Sequence, residues 1–274
     1  MKAEAQASGL LAELVRDAER RIALARPRRR ELERQAAAAS LAPGFAAALS
    51  APGGVAVIAE IKRRSPSAGV IRGAGDVAAL GSSLAAAGAS ALSVLTQGTH
   101  FGGSLDDLSR VASAVSVPVL RKDFILDPIQ LYEARAGGAA AVLLIVRILG
   151  PGPLAGLLAL ARALGLGALV EVHGEAELET ALGAGATIVG VNARDLDSLA
   201  MDPELVARLL PAMPEQCVAV AESGLASRAD IERVASRGAD AALVGTAISG
   251  APDPASALRA LRGVPRRSRS GVRA

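Results

Sequence analysis

Apolar and polar positions follow two different rhythms along the chain. Near the N-terminus, Leu11, Leu14, Ala18 and Ile22 recur at helical spacing, with Glu, Asp and Arg on the opposite face, which predicts helix over 9–36. A second helical piece is expected near Phe45 to Leu49, stopped by the breaker cluster Ser50-Ala51-Pro52-Gly53-Gly54. From Val55 the pattern changes to eight short, continuous apolar runs, at 55–61, 90–95, 117–121, 140–146, 168–172, 187–191, 217–222 and 241–245. The stretches between them are long enough for a helix and two turns, and this alternation predicts βα units around a parallel sheet.

A weak repeat supports the count. Gly88-Ala89, Gly138-Ala139, Gly185-Ala186 and Gly238-Ala239 each precede an apolar run. Glycine suits the left-handed position just past a helix end, so each pair marks an αβ turn. Eight strands in about 200 residues fit an α/β fold of the (β/α)8 TIM barrel type with an N-terminal helical extension. The expected organisation is an extension over 1–54, a barrel over 55–262 and a basic, disordered tail over 263–274. A doubly wound open sheet is the alternative, but no G-x-G-x-x-G follows the first run.

In a barrel the carboxyl ends of all eight strands share one face. Read in order, those ends carry Glu60 and Lys62; Thr96 and the loop with His100 and Phe101; Arg121, Lys122, Asp123 and Phe124; Glu171 and His173; Asn192 and Arg194; Glu222, Ser223 and Gly224; then Gly245 and Thr246. Strand side chains alternate, so Glu60 shares a face with Lys62, Glu171 with His173, and Asn192 with Arg194. Such a charged mouth is expensive unless the groups are paired and used. Ser223-Gly224 and Gly245-Thr246 follow the seventh and eighth strands, where barrels hold phosphate. His100 and His173 read as polar loop residues and are left out of the candidate site. No zinc-ligand spacing with Cys is present.

Composition narrows the class. The 274 residues are 51% hydrophobic, enough for one large core, and no apolar run reaches the length of a membrane span. The N-terminal stretch has acidic residues among its apolar ones and does not read as a secretory signal. The one cysteine, Cys217, opens an apolar run, as expected of a buried thiol in a cytoplasmic protein. Net charge is +3, with basic residues concentrated at 25–34 and 262–274 and no interleaved aromatics. Neither a nucleic-acid nor a membrane partner is therefore expected. Aromatics make up only 1% of the chain, which singles out Phe101 and Phe124 as a possible wall for a flat ring.

These segments in this order resemble the indole-3-glycerol phosphate synthase family. The resemblance is carried by IAEIKRRSPSAG (58–69), ALSVLTQ…FGGS (91–104), PVLRKDFILDPIQ (118–130), LLIVRIL (143–149), LVEVH (169–173), NARDL (192–196), AESG (221–224) and LVGTAI (243–248). It implies a lyase of tryptophan biosynthesis that closes the ring of 1-(2-carboxyphenylamino)-1-deoxy-D-ribulose 5-phosphate, losing CO2 and water without metal or cofactor. It implies Lys122 as general acid and Glu171 as the second catalytic group, with Lys62, Glu60 and Asn192 assisting. Ser65, Phe101, Phe124, Leu143, Arg194, Glu222 and Ser223 would bind the anionic small-molecule substrate, and Gly224, Gly245 and Thr246 its phosphate. A monomer or weak oligomer is expected. Ala68 and Ala193 depart from the family's usual Lys and Asn or Ser. Two rival readings are a Schiff-base sugar-phosphate aldolase, since Lys122 lies on a barrel strand, and a non-catalytic phosphate-binding barrel.

Overall fold

The computed structural model describes residues 9–73 and 75–270. Eight parallel strands close into a barrel: β1 (Ala56–Ile61), β2 (Ala91–Leu95), β3 (Val119–Lys122), β4 (Ala141–Ile145), β5 (Gly167–Val172), β6 (Ile188–Asn192), β7 (Val218–Glu222) and β8 (Ala241–Val244). Neighbours in sequence are neighbours in the sheet, and β8 pairs back onto β1 through Ala56–Ala241 to Ala59–Val244. Gly88, Gly138, Gly185 and Gly238 have φ of 91°, 80°, 82° and 87°, so all four αβ turns take the left-handed backbone their glycines permit.

Alternation along each strand sorts the core into two layers. Ala56, Ile58, Leu120, Leu143, Leu169, Ile188, Val220 and Leu243 fill the barrel interior, while Val57, Ala59, Leu92, Val94, Val142, Leu144, Val170 and Val189 pack outward against the helices. The inward series then continues to the mouth. Glu60 and Lys62 follow Ile58, Glu171 and His173 follow Leu169, Asn192 follows Gly190, and Glu222 follows Val220. The same parity that builds the core therefore delivers the charge.

The single helix expected over 9–36 is two: α1 (Leu10–Ala25) and α2 (Arg29–Ala38), joined by a 3-10 turn at Arg26–Arg28. Pro27 is the cause, since it has no N–H to continue the α-helical ladder. The short helix α3 spans Phe45–Ser50. The α1 stripe Leu11, Leu14, Ala18 and Ile22 is buried. Polar contacts fix its register: Arg21 donates to both carboxylate oxygens of Asp123 at 2.8 Å, and Gln97 donates to Asp17 at 3.1 Å.

The disordered tail expected from residue 263 is corrected through Ser270. The Val55 N–H donates to the Val264 carbonyl at 2.8 Å. Arg266 donates to the carbonyls of Leu49, Ala51 and Gly54 at 2.6, 2.8 and 2.9 Å. Arg269, 3% exposed, donates to Asp240 at 2.7 Å and to the carbonyls of Cys217 and Gly238 at 2.7 and 2.8 Å. These arginines satisfy backbone acceptors at the amino-terminal end of the barrel, which is why they are bound rather than solvated. Residues 1–8 of the extension and 271–274 of the tail lie outside the described residues. No helix among the described residues is long and apolar enough to cross a membrane.

Candidate active site

A cavity of about 650 Å³ opens at the carboxyl ends of the strands. All fifteen candidate residues line it: Glu60, Lys62, Ser65, Phe101, Lys122, Phe124, Leu143, Glu171, Asn192, Arg194, Glu222, Ser223, Gly224, Gly245 and Thr246. Leu10 and Leu14 of α1 add an apolar wall that only the docked extension supplies. Ala68 is on the cavity wall, whereas Ala193 packs outward in the helix-facing core.

The floor is a cluster of opposite charges. Lys122 Nζ lies 3.6 Å from Glu171 and 3.9 Å from Glu222, and Lys62 Nζ lies 2.9 Å from Glu60. Burial of Lys122 disfavours its charge, but Glu171, Glu222 and Glu60 outweigh that and raise its pKa well above the ordinary lysine value. Burial likewise works against the Glu171 carboxylate; Lys122 and His173 overcome it and hold its pKa well below normal. Glu222 goes the other way. Its burial and the adjacent Glu171 charge raise its pKa well above the carboxylate range. Two buried carboxylates beside one lysine do not ionise independently, and His173 beside Glu171 favours the negative charge there over Glu222. Glu171 Oε2 and both Glu222 oxygens are buried and lack a close hydrogen-bond partner among the described residues, so Lys122 faces both carboxylates through ion pairs.

The apolar side is set by the segment after β3. Phe101 and Phe124 lie with ring centroids 6.4 Å apart. Gln130 fixes the Phe124 loop, donating to the Phe124 carbonyl at 2.9 Å and accepting from the Leu126 N–H at 2.8 Å. Its helix, Pro128–Ala136, is started by an Asp127 capping box in which Gln130 is the partner, so one motif caps the helix and shapes the wall. At the rim, Ser223 (φ 67°) and Leu199 (φ 59°) are the two non-glycine residues with left-handed backbone among the described residues, and both line the cavity. Strained backbone of this kind gathers at functional sites. The Ser223 hydroxyl donates to Asn192 Oδ1 at 2.6 Å, and the Arg194 guanidinium donates to the Leu199 carbonyl at 3.0 Å.

Three contributors escaped the reading of the sequence. His173 is no polar loop residue. Its side chain is 2% exposed, with Nε2 3.3 Å from Glu171 and Nδ1 3.3 Å from Glu177. Its shared parity with Glu171 was the available signal. Ser249 is buried and ties the end of β1 to the segment after β8, donating to the Glu60 carbonyl at 2.6 Å and accepting from the Lys62 N–H at 3.2 Å. Asp123, visible at the end of the third run but given no role there, anchors α1 beside Lys122 by accepting from Arg21. Among the described residues no group of three or more His, Cys, Asp or Glu is placed to hold a metal ion.

Comparison with known proteins agrees with this geometry. The family model described as indole-3-glycerol phosphate synthase matches residues 11–261. A protein of that name from Mycobacteroides abscessus is 46% identical over 254 residues, covering 92% of this chain and 93% of its own. One from a Parafrankia species is 54% identical over 200 residues, covering 73% and 75%. Among solved structures, thiamine phosphate pyrophosphorylase from Pyrococcus furiosus superposes with a TM-score of 0.57 at 17% identity, covering 76% of this chain and 93% of that one. That likeness speaks to the barrel fold alone.

Proposed function

The chain belongs to the indole-3-glycerol phosphate synthase family, and from that premise we propose how its barrel mouth divides the work. The enzyme is a carbon–carbon lyase of tryptophan biosynthesis. It converts 1-(2-carboxyphenylamino)-1-deoxy-D-ribulose 5-phosphate to indole-3-glycerol phosphate, CO2 and water.

The observation that carries the proposal is Lys122, held as a cation on the cavity floor between Glu171 and Glu222. As the ring carbon bearing the carboxylate attacks the ribulose carbonyl, Lys122 gives its proton to the carbonyl oxygen and stabilises the developing charge. Loss of CO2 restores the aromatic ring. Lys62, paired with Glu60, then assists departure of the hydroxyl as water, while the ionised Glu171 accepts the proton released as the pyrrole ring forms. Phe101, Phe124 and Leu143 sandwich the aryl ring. Asn192 and Arg194 orient the carboxylate and the ribulose hydroxyls, and Ser65, Glu222 and Ser223 complete the binding wall. Gly224, Gly245 and Thr246 receive the phosphate. An added Cβ at Gly245 would collide with the Glu60 carboxylate, so glycine keeps that rim open beside the charge pair. The protein is proposed to work on this small anionic substrate as a monomer or weak oligomer in the cytoplasm.

A lysine held in its charged form is a poor nucleophile, which weighs against the aldolase reading. The test follows fluorescence at indole wavelengths after adding substrate with a chelator present; the chain has no Trp, so background is low. Indole-glycerol phosphate is the expected product, and borohydride should trap no adduct. Tight binding without product, or a trapped imine on Lys122, would overturn the assignment of roles.

A further inference from the structure

His173 sits at the end of β5 on the inward face, one position beyond Val172 and two beyond Glu171. Two carboxylates meet its ring from opposite sides, Glu171 at Nε2 and Glu177 at Nδ1, both at 3.3 Å. A neutral imidazole carries one N–H and offers its other nitrogen as an acceptor, so it would turn a lone pair toward one of the two anions. Only the imidazolium presents a proton to both. The Nε2 contact is an ion pair rather than an aligned hydrogen bond, whereas the Glu177 side is firmly built. Glu177 Oε2 also accepts the His173 backbone N–H at 2.8 Å, and Glu177 Oε1 is held by Arg147 Nε at 3.0 Å. Arg147 in turn donates to Asp195 at 2.7 Å.

We propose that His173 is a positioning residue: as an imidazolium clamped between Glu177 and Glu171, it aims the Glu171 carboxylate and keeps it ionised for its work as a base. The inference rests on the assignment of Glu171 as that base. Lys122 approaches Glu171 from β3 and Glu222 from β7, so the clamp completes the surroundings of Glu171 on the side that faces the following helix, Glu175–Gly183. The charged groups around the ring are Glu171 on its own strand, Glu177 on that helix, and beyond them Lys122 and Arg147. Burial works against charge on His173, and the two carboxylates overcome it, raising its pKa to about 9.

Two measurements decide the proposal. The chain has two histidines, so the imidazole Cε1–H resonances can be followed through a pH titration, with His100→Asn supplying the assignment. The His173 signal is expected to stay at its protonated position through pH 8, and in Glu177→Gln its midpoint should fall. A wild-type midpoint at or below about 6.5, the ordinary histidine value, would overturn the clamp whatever the enzyme's activity. In His173→Gln, which keeps a donor but no charge, kcat is expected to drop about 10- to 100-fold with KM within about threefold, the size of a misplaced catalytic group. The acid limb of its kcat profile should move to higher pH, because Glu171 loses the charge that favours its ionised form. A merely structural role would lower stability and leave that limb in place, and that result would overturn the proposal. Near-full activity of Glu171→Gln would instead remove the base assignment and leave the titration result standing, so the two failures are distinguishable.

Discussion

At Gly190, on the inward face of β6, an added Cβ would collide with the Glu222 carboxylate. The missing methyl group is what lets Glu222 lie across the barrel axis toward Lys122. Gly190→Ala should therefore push Glu222 aside, lowering kcat about 10-fold while circular dichroism stays native, since a misplaced group costs rate before it costs fold. Unchanged kcat would show that the position of Glu222 is unimportant. Single residues of this kind were unevenly legible. Glu60, Lys62, Glu171 and Asn192 announce themselves as charged or polar groups at inward parity after an apolar run. His173 obeys the same parity, yet its importance depends on Glu177 folding back from the next helix, which no spacing rule reveals. Gly190 reads as one more small strand residue until Glu222 is seen beside it.

At the scale of elements, α1 is docked by two kinds of force. Its three large apolar side chains, Leu11, Leu14 and Ile22, are buried, and each supplies about 1.5–3 kcal/mol. The Arg21–Asp123 pair spends most of its Coulombic gain on desolvation, so its work is to fix register rather than to hold the helix on. Arg21→Ala should leave α1 attached, because Arg121 at 3.1 Å still neutralises Asp123, but loosen the Leu10 and Leu14 wall. Steady-state kinetics should show KM raised about 5- to 10-fold with a smaller change in kcat; equal losses in both would place Arg21 in the chemistry instead. Burial disfavours the Asp123 carboxylate, but Arg21, Arg121 and Thr96 hold its pKa down to about 2. A depressed folded value means the stabilisation is present above about pH 4 and fades as pH falls through 2. Hydrogen exchange in α1 should accordingly rise below pH 3 ahead of exchange in the strands. The element pattern was largely readable: all eight strands fall within two residues of the apolar runs, while the break at Pro27 and the short antiparallel pair Arg64–Ser65 with Gly69–Val70 were passed over.

Over the whole molecule, the barrel carries its chemistry at one end and its closure at the other. The C-terminal segment seals the amino-terminal face through Arg266 and Arg269, and an added Cβ at Gly238 would collide with the Arg269 side chain. Arg269→Ala would leave several buried carbonyls without a donor, costing about 2–4 kcal/mol in urea unfolding, with kcat at 25 °C unchanged. A stability loss below about 0.5 kcal/mol would mean the segment is ornamental. This closure was hidden because arginines that bind backbone carbonyls have no partner visible in sequence, so a charge run reads as solvated. The mouth was legible because parity and strand order alone bring residues from 60 to 246 together. The proposed role of Lys122 as the proton donor in ring closure is tested most directly by the turnover number of Lys122→Ala, with native folding confirmed by circular dichroism. Loss of about 100- to 10,000-fold in kcat is the expected result for a general acid. Near-full turnover would contradict the account.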